Sequence, residues 1–70
     1  MVNIECPLSG KVIEIMFVAG KKINEDDQIM TIEAMKMENP IFSNVTGTVK
    51  EIKVTVGEQV TEGQVLAIIY

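Results

Sequence analysis

Few side chains in this 70-residue sequence could do chemistry. It has no His, which removes the usual general base, the Ser/His and Cys/His nucleophile pairs and the commonest metal ligand. Cys6 has no disulfide partner and is expected to be a small buried apolar residue. The cluster Glu25-Asp26-Asp27 lacks the spaced ligands of a calcium loop, so we predict a solvated turn and no metal site. What remains is the amine of Lys36, within Glu33-Ala34-Met35-Lys36-Met37-Glu38.

The residues around Lys36 break two local rules of hairpin formation. Strand-like residues lie on both sides, so a tight turn is predicted at Met35-Lys36. Two-residue loops favour Asn-Gly or Asp-Gly because both positions need positive φ, where a side chain costs about 1–2 kcal/mol. The same register places Glu33 opposite Glu38, and facing like charges are destabilising. Because local rules are commonly broken at functional sites, we predict that this turn has a function and is not an ordinary solvated lysine turn.

The elements that must position this turn come in two copies. A shift of 37 positions aligns Gly10–Glu33 with Gly47–Tyr70 without a gap, with seven identities in 24 pairs. The identical pairs are Gly10/Gly47, Val12/Val49, Glu14/Glu51, Ile15/Ile52, Gly20/Gly57, Glu25/Glu62 and Ile32/Ile69. Because neither copy could bury its apolar face alone, the copies are expected to pack together about a pseudo-two-fold axis. We therefore predict one domain over residues 1–70.

Within each copy the apolar pattern is that of β-strands. Hydrophobic residues form 47% of the chain and are mainly Val, Ile and Met, which favours strands over helices. Residues 49–56 are predicted to form a half-buried strand, and residues 28–32 and 65–69 to form buried ones. In both copies the alternation slips by one residue, near Glu14 and Glu51, which predicts a bulge. The predicted fold is all-β, with two small antiparallel sheets in a flattened barrel or sandwich.

Composition excludes several classes of function. The net charge is −4 without a basic stripe, so no nucleic-acid partner is expected. No apolar run approaches the roughly 20 residues that span a bilayer, so no membrane insertion is expected. The first residues resemble neither a signal nor a transit peptide, and with a single cysteine a cytoplasmic location is predicted. A chain this short has little room for an enzyme pocket, so we expect no independent catalysis. We also expect the domain to be a monomer in isolation.

Glu33-Ala34-Met35-Lys36-Met37-Glu38 resembles the biotin attachment motif of biotin carboxyl carrier domains, in the biotinyl/lipoyl-attachment family. The resemblance covers nearly the whole chain, since Cys6–Gly10 is similar to the family's opening Ala-Pro-Met-Ser/Pro-Gly, with Cys6 in place of the usual Ala. Asp26 departs from the pattern where the second copy has Gly63, and Asp tolerates a left-handed turn better than most residues. Without a gap between copies there is no inserted "thumb". The chain thus resembles carriers of transcarboxylases, sodium-pumping decarboxylases, or pyruvate and propionyl-CoA carboxylases.

The resemblance implies an eight-stranded flattened barrel, or barrel-sandwich hybrid, with Lys36 exposed at a hairpin tip. A biotin protein ligase would join biotin to Lys36 as an amide and would supply the base, because lysine amines are protonated at neutral pH. Biotin would take a carboxyl group at a biotin carboxylase and exchange it with an acyl-CoA or oxo-acid at a carboxyltransferase or decarboxylase. The domain itself would be a carrier rather than an enzyme. The implied site residues besides Lys36 are Ala34, Met35 and Met37 for ligase recognition, flanked by Glu33 and Glu38.

Two other interpretations stay open. A lipoyl carrier shares the fold and the lysine position, but its motif typically has an acidic residue before the lysine, whereas Met35 and Met37 flank Lys36 here. An unmodified β interaction module would have no need for this motif in the turn. A free-standing enzyme is disfavoured by the lack of catalytic pairs.

The copies also differ on one face. Three apolar residues of the first copy align with polar residues of the second, in the pairs Ile13/Lys50, Met16/Lys53 and Val18/Thr55. We hypothesise that this face docks on a partner enzyme or on the parent protein. The alternative is that these residues cover the ends of a small core.

Overall fold

The structure, a computed structural model, describes all 70 residues and contains eight strands and no helix. The strands are β1 (Val2–Glu5), β2 (Gly10–Ile15), β3 (Lys22–Ile23), β4 (Gln28–Ala34), β5 (Met37–Phe42), β6 (Gly47–Ile52), β7 (Gln59–Val60) and β8 (Val65–Ile69). The prediction of an all-β fold with eight strands is confirmed. With no helix present, none can span a membrane.

The two sequence copies are interleaved in two antiparallel sheets. One sheet has the order β1-β8-β6-β3 and the other β5-β4-β2-β7. The 37-residue shift converts each sheet into the other, strand for strand, as a pseudo-two-fold axis requires. With β1 and β5 counted in the copies that they precede, each sheet takes two strands from each copy, because β3 pairs with β6 and β2 pairs with β7. Neither copy has a complete sheet alone, and the flattened barrel-sandwich with an internal repeat is confirmed.

One apolar core lies between the sheets. It contains 15 buried side chains, and equivalent residues of the two copies contribute to it together. Ile32 and Ile69 are both completely buried, and so are Leu66 and, to within 1%, its counterpart Ile29. Branched aliphatic side chains fill this space because they pack well on pleated surfaces.

Both predicted bulges are present. The register of β2 against β4 shifts between Val12 and Glu14, and that of β6 against β8 shifts between Val49 and Glu51. The extra residue reverses the facing of the residues after it, which explains why the alternation slips in the sequence.

The predicted strand over residues 49–56 is wrong beyond Ile52, where β6 ends. Its last bond to β8 is donated by the Lys53 N–H to the Leu66 carbonyl. The chain then leaves the sheet, and the N–H of Gly57 bonds to the Val12 carbonyl of the other sheet. Val54 is still buried, so the alternation of buried and exposed residues continues past the end of β6. The sequence pattern therefore cannot show where the hydrogen bonds between β6 and β8 stop.

Equivalent turns use equivalent backbone conformations. Gly20 and Gly57 have φ values of 89° and 94°, which confirms the turns at these positions. Asp26 has φ 75° and its counterpart Gly63 has φ 89°, so Asp26 adopts the left-handed conformation expected of it. The two copies therefore share left-handed turn positions, and Asp26 is the non-glycine residue among these four.

Candidate functional site: the hairpin between β4 and β5

Lys36 lies in a two-residue turn at the tip of the β4–β5 hairpin. The register pairs Ala34 with Met37 and Glu33 with Glu38, which leaves Met35 and Lys36 as the loop. Their φ values are 54° and 63°, so both residues are left-handed, as a type I′ turn requires. The turn predicted from the sequence is confirmed. Met35 and Lys36 occupy the two positions at which Asn-Gly would be less strained.

The turn presents its side chains to solvent. Met35 is 95% exposed and Met37 67% exposed, while Lys36 is also exposed and Ala34 is half-buried. The ion pair in the domain joins Lys53 to Glu51, so the amine of Lys36 is held by no carboxylate. The tip therefore offers a free primary amine between two exposed thioether side chains.

The base of the hairpin is fixed by close backbone packing. Gly10 of β2 passes so near β4 that a Cβ placed on it would meet the carbonyl oxygen of Glu33 and lie 2.7 Å from Cγ2 of Ile32. Asn39 ties the other strand, because its Nδ2 donates to the carbonyls of Ile32 at 3.3 Å and Met37 at 3.1 Å. The two contacts hold the strands that carry the turn, so the position of the tip is set by rigid elements.

The charges behind the turn form a row across the sheet. Glu33 pairs with Glu38 on one side and with Lys11 on the other. All three side chains are exposed, and Lys11 is itself paired with Gln59 of β7. Lys11 supplies the opposite charge beside Glu33, which offsets part of the Glu33–Glu38 repulsion.

No rival chemical centre accompanies the hairpin. No group of three or more Cys, Asp or Glu side chains is placed to hold a metal ion. Two surface depressions are present, and neither is lined by the turn residues. Cys6 is buried as predicted, and its Sγ also donates to the Leu8 carbonyl at 2.7 Å. Ser43, its counterpart in the second copy, makes the equivalent bond, in which its hydroxyl donates to the Val45 carbonyl at 2.6 Å.

The structure brings together all six residues proposed from the sequence, Glu33, Ala34, Met35, Lys36, Met37 and Glu38. Sequence reasoning missed three residues that position them: Gly10, Lys11 and Asn39. Gly10 is one of the identical pairs of the repeat, so its recurrence as Gly47 was an available signal. Lys11 and Asn39 gave no signal, because they differ from their counterparts Thr48 and Val2.

Comparison with known proteins identifies the family to which this chain belongs. The family model described as "Biotin-requiring enzyme" (Biotin_lipoyl) matches residues 2–69. A solved structure of the urea carboxylase of Kluyveromyces lactis has a similar fold, with a TM-score of 0.89 and 25% sequence identity over 99% of this chain and 6% of that one.

Three curated proteins are similar in sequence. The "Biotinylated protein TB7.3 homolog" of Mycobacterium leprae is 30% identical over 96% of this chain and 94% of that protein. Pyruvate carboxylase of Bacillus subtilis is 38% identical over 91% of this chain and 6% of that protein. The dihydrolipoyllysine-residue acetyltransferase component of the pyruvate dehydrogenase complex of Buchnera aphidicola is 39% identical over 84% of this chain and 14% of that protein. The chain thus spans a small part of the two longer relatives. Because the family model covers almost the whole chain, this protein belongs to the biotin-requiring family of biotinyl/lipoyl-attachment domains.

Proposed function

We propose that this domain is a biotin carboxyl carrier in which biotin is joined to Nζ of Lys36. The observation that carries the proposal is the turn itself, in which Met35 and Lys36 occupy left-handed positions and project into solvent. Folding alone would favour Asn-Gly there, so the side chains are retained for recognition by another protein.

The residues of the hairpin fit an amide-linked group at Lys36. The amine is exposed, forms no ion pair and stands on a turn that no surface depression encloses. An acyl group on Nζ therefore meets no side chain of this domain that would have to move. Biotin bound there would supply the ring nitrogen that carries the carboxyl group between active sites.

The chain's own part in modification is to present the amine. It has no His, so a base of the biotin protein ligase takes the proton of the Lys36 ammonium. The neutral amine then attacks the activated carbonyl of biotin, the amide bond forms, and the bond from that carbonyl to the activating group breaks as the group leaves in the ligase. Met35 and Met37 are apolar, exposed and adaptable in shape, which suits them to contacts with the ligase. Glu33 and Glu38 flank these contacts at the base of the tip.

The partners of the carrier follow from the same proposal. A biotin carboxylase loads the carboxyl group, and a carboxyltransferase or decarboxylase exchanges it with an acyl-CoA or oxo-acid. Attachment to a folded domain raises the effective concentration of the group at both active sites. The proposed role is therefore that of a carrier in a biotin-dependent complex, with the bond chemistry done by the partner enzymes, and the proposed location is the cytoplasm.

A lipoyl carrier is the second candidate, because the acetyltransferase relative is 39% identical. Met35 argues against it, since lipoyl motifs typically place an acidic residue before the lysine.

Co-expression separates the two candidates. The domain is produced with a biotin protein ligase and, separately, with a lipoate ligase, and its intact mass is measured. We expect one biotinyl group, absent from Lys36→Arg and retained in the matched control Lys50→Arg. A lipoyl gain, or biotin retained by Lys36→Arg, would overturn the proposal.

A further inference from the structure

A second surface feature of the first copy has no role in the proposed modification. It is a depression of about 320 Å³ beside β3, whose walls include Met16, Phe17 and Val18. Met16 is 40% exposed and Val18 55% exposed, while Phe17 is buried beneath them. Lys21 and Lys22 lie at its rim. Two of the six basic residues of a domain with a net charge of −4 are thus placed beside one apolar surface.

The internal repeat provides a comparison that shows the fold does not require this surface. The second copy has the same backbone path but no depression at the equivalent position. There Lys53 replaces Met16, Thr55 replaces Val18 and Glu58 replaces Lys21. Because the second copy folds with polar residues at these three positions, exposed Met and Val in the first copy are not needed for stability.

Side-chain hydrogen bonds close the surface in the second copy. Glu58 Oε1 accepts from the Thr55 N–H at 3.2 Å, and Glu58 Oε2 accepts from Gln64 Nε2 at 3.4 Å. Gln64 in turn accepts from the Thr61 N–H at 3.1 Å. Two of these bonds satisfy the backbone donors of Thr55 and Thr61, and the third links the side chains of Gln64 and Glu58.

The first copy lacks the central acceptor of this network. With Lys21 in place of Glu58, the N–H of Val18 donates to no group of the protein. Asp27 also lines the depression, but its Oδ2 accepts from the Asn24 N–H at 2.9 Å, as Gln64 does in the second copy. The open site therefore combines apolar walls, a free backbone donor and two ammonium groups.

We propose that this depression is a docking surface for the enzyme components of the carrier's complex, and that it receives an apolar side chain flanked by carboxylates. The inference rests on the proposed function, which supplies the partners. An apolar side chain fits between Met16 and Val18, and carboxylates complement Lys21 and Lys22 and accept from Val18 N–H. The sequence predicted a docking face that includes Ile13, Met16 and Val18. The structure limits this face to Met16 and Val18, because Ile13 is half-buried and lies outside the depression.

The test replaces the site with the residues of the second copy. The triple variant Met16→Lys, Val18→Thr, Lys21→Glu is biotinylated, and its KM and kcat as substrate are measured with the biotin carboxylase and with the carboxyl-accepting component of its complex. Lys50→Glu is the matched control for the single variant Lys21→Glu, because each changes net charge by two units on an exposed residue. Lys21→Glu alone is measured in parallel, and urea unfolding verifies that each variant is folded.

We expect the triple variant to take up biotin as the wild type does, while KM for at least one component rises about tenfold with kcat unchanged. Raising salt should increase KM of the wild type more steeply than KM of Lys21→Glu. Unchanged KM at both components, with full biotinylation, overturns the docking surface and leaves the carrier function intact. A wild-type domain that takes up no biotin overturns both.

Discussion

Replacing Met35 by Asn should make the domain more stable and, under the proposed function, a poorer substrate for a biotin protein ligase. Met35 is left-handed, with φ 54°, and 95% exposed, so substitution removes no packing. A non-glycine residue in this conformation costs about 1–2 kcal/mol, and Asn, which tolerates it well, should recover about 1 kcal/mol. For a domain of this size that gain raises Tm by about 4–8 °C.

The loss at the ligase follows from the side chain that is removed. Burying a Met side chain in a partner contributes about 1.5–3 kcal/mol. Its absence should therefore lower kcat/KM for biotinylation by about 10- to 100-fold. Thermal unfolding followed by circular dichroism measures the first effect, and initial rates of biotin incorporation measure the second.

Asp26→Gly is the matched control for strain. Asp26 has φ 75° and its counterpart in the second copy is glycine, so the substitution should raise stability by up to about 1 kcal/mol. Because Asp26 lies in the turn before β4 and not in the hairpin, biotinylation should be unchanged. A lower Tm in Met35→Asn would refute the argument from strain. A wild-type rate of biotinylation would refute the argument that Met35 is retained for recognition.

Four further substitutions test the support of the hairpin and the equivalence of the two copies. Gly10→Ala should lower the free energy of unfolding by about 1–3 kcal/mol in urea titrations, because its Cβ meets the facing strand, and Gly47→Ala should cost a similar amount without disturbing the hairpin. If only one of the two is destabilising, the equivalence of the copies is wrong at this contact. Glu38→Lys should add about 0.2–1 kcal/mol by replacing a like-charge pair, with the gain shrinking as salt is raised; a gain independent of salt would exclude this cause. Cys6→Ser should change stability by less than about 1 kcal/mol, because Ser43 makes the equivalent hydrogen bond, and a large loss in thermal unfolding would contradict that equivalence.

The sequence alone determined the features that depend on neighbouring residues. Alternation of apolar residues predicted strands, and its slip near Glu14 and Glu51 predicted both bulges, because facing reverses after one extra residue. The hairpin register followed from strands on both sides of Met35-Lys36, which also fixed the Glu33–Glu38 pair. The 37-residue repeat predicted the pseudo-two-fold architecture, because two similar segments of sequence are expected to adopt the same backbone path.

Only the tertiary structure decided what depends on residues far apart in the chain. The interleaving of the copies, the approach of Gly10 to β4 and the place of Lys11 beside Glu33 all arise from pairing between strands. β6 ends at Ile52 because the chain leaves the sheet after the Lys53 N–H bonds to the Leu66 carbonyl, and Gly57 then bonds to Val12 of the other sheet. The open depression likewise results from a hydrogen-bond network that one copy has and the other lacks. Periodicity reports which side of a strand is buried, whereas the partner across the sheet is chosen by the packing of the whole domain.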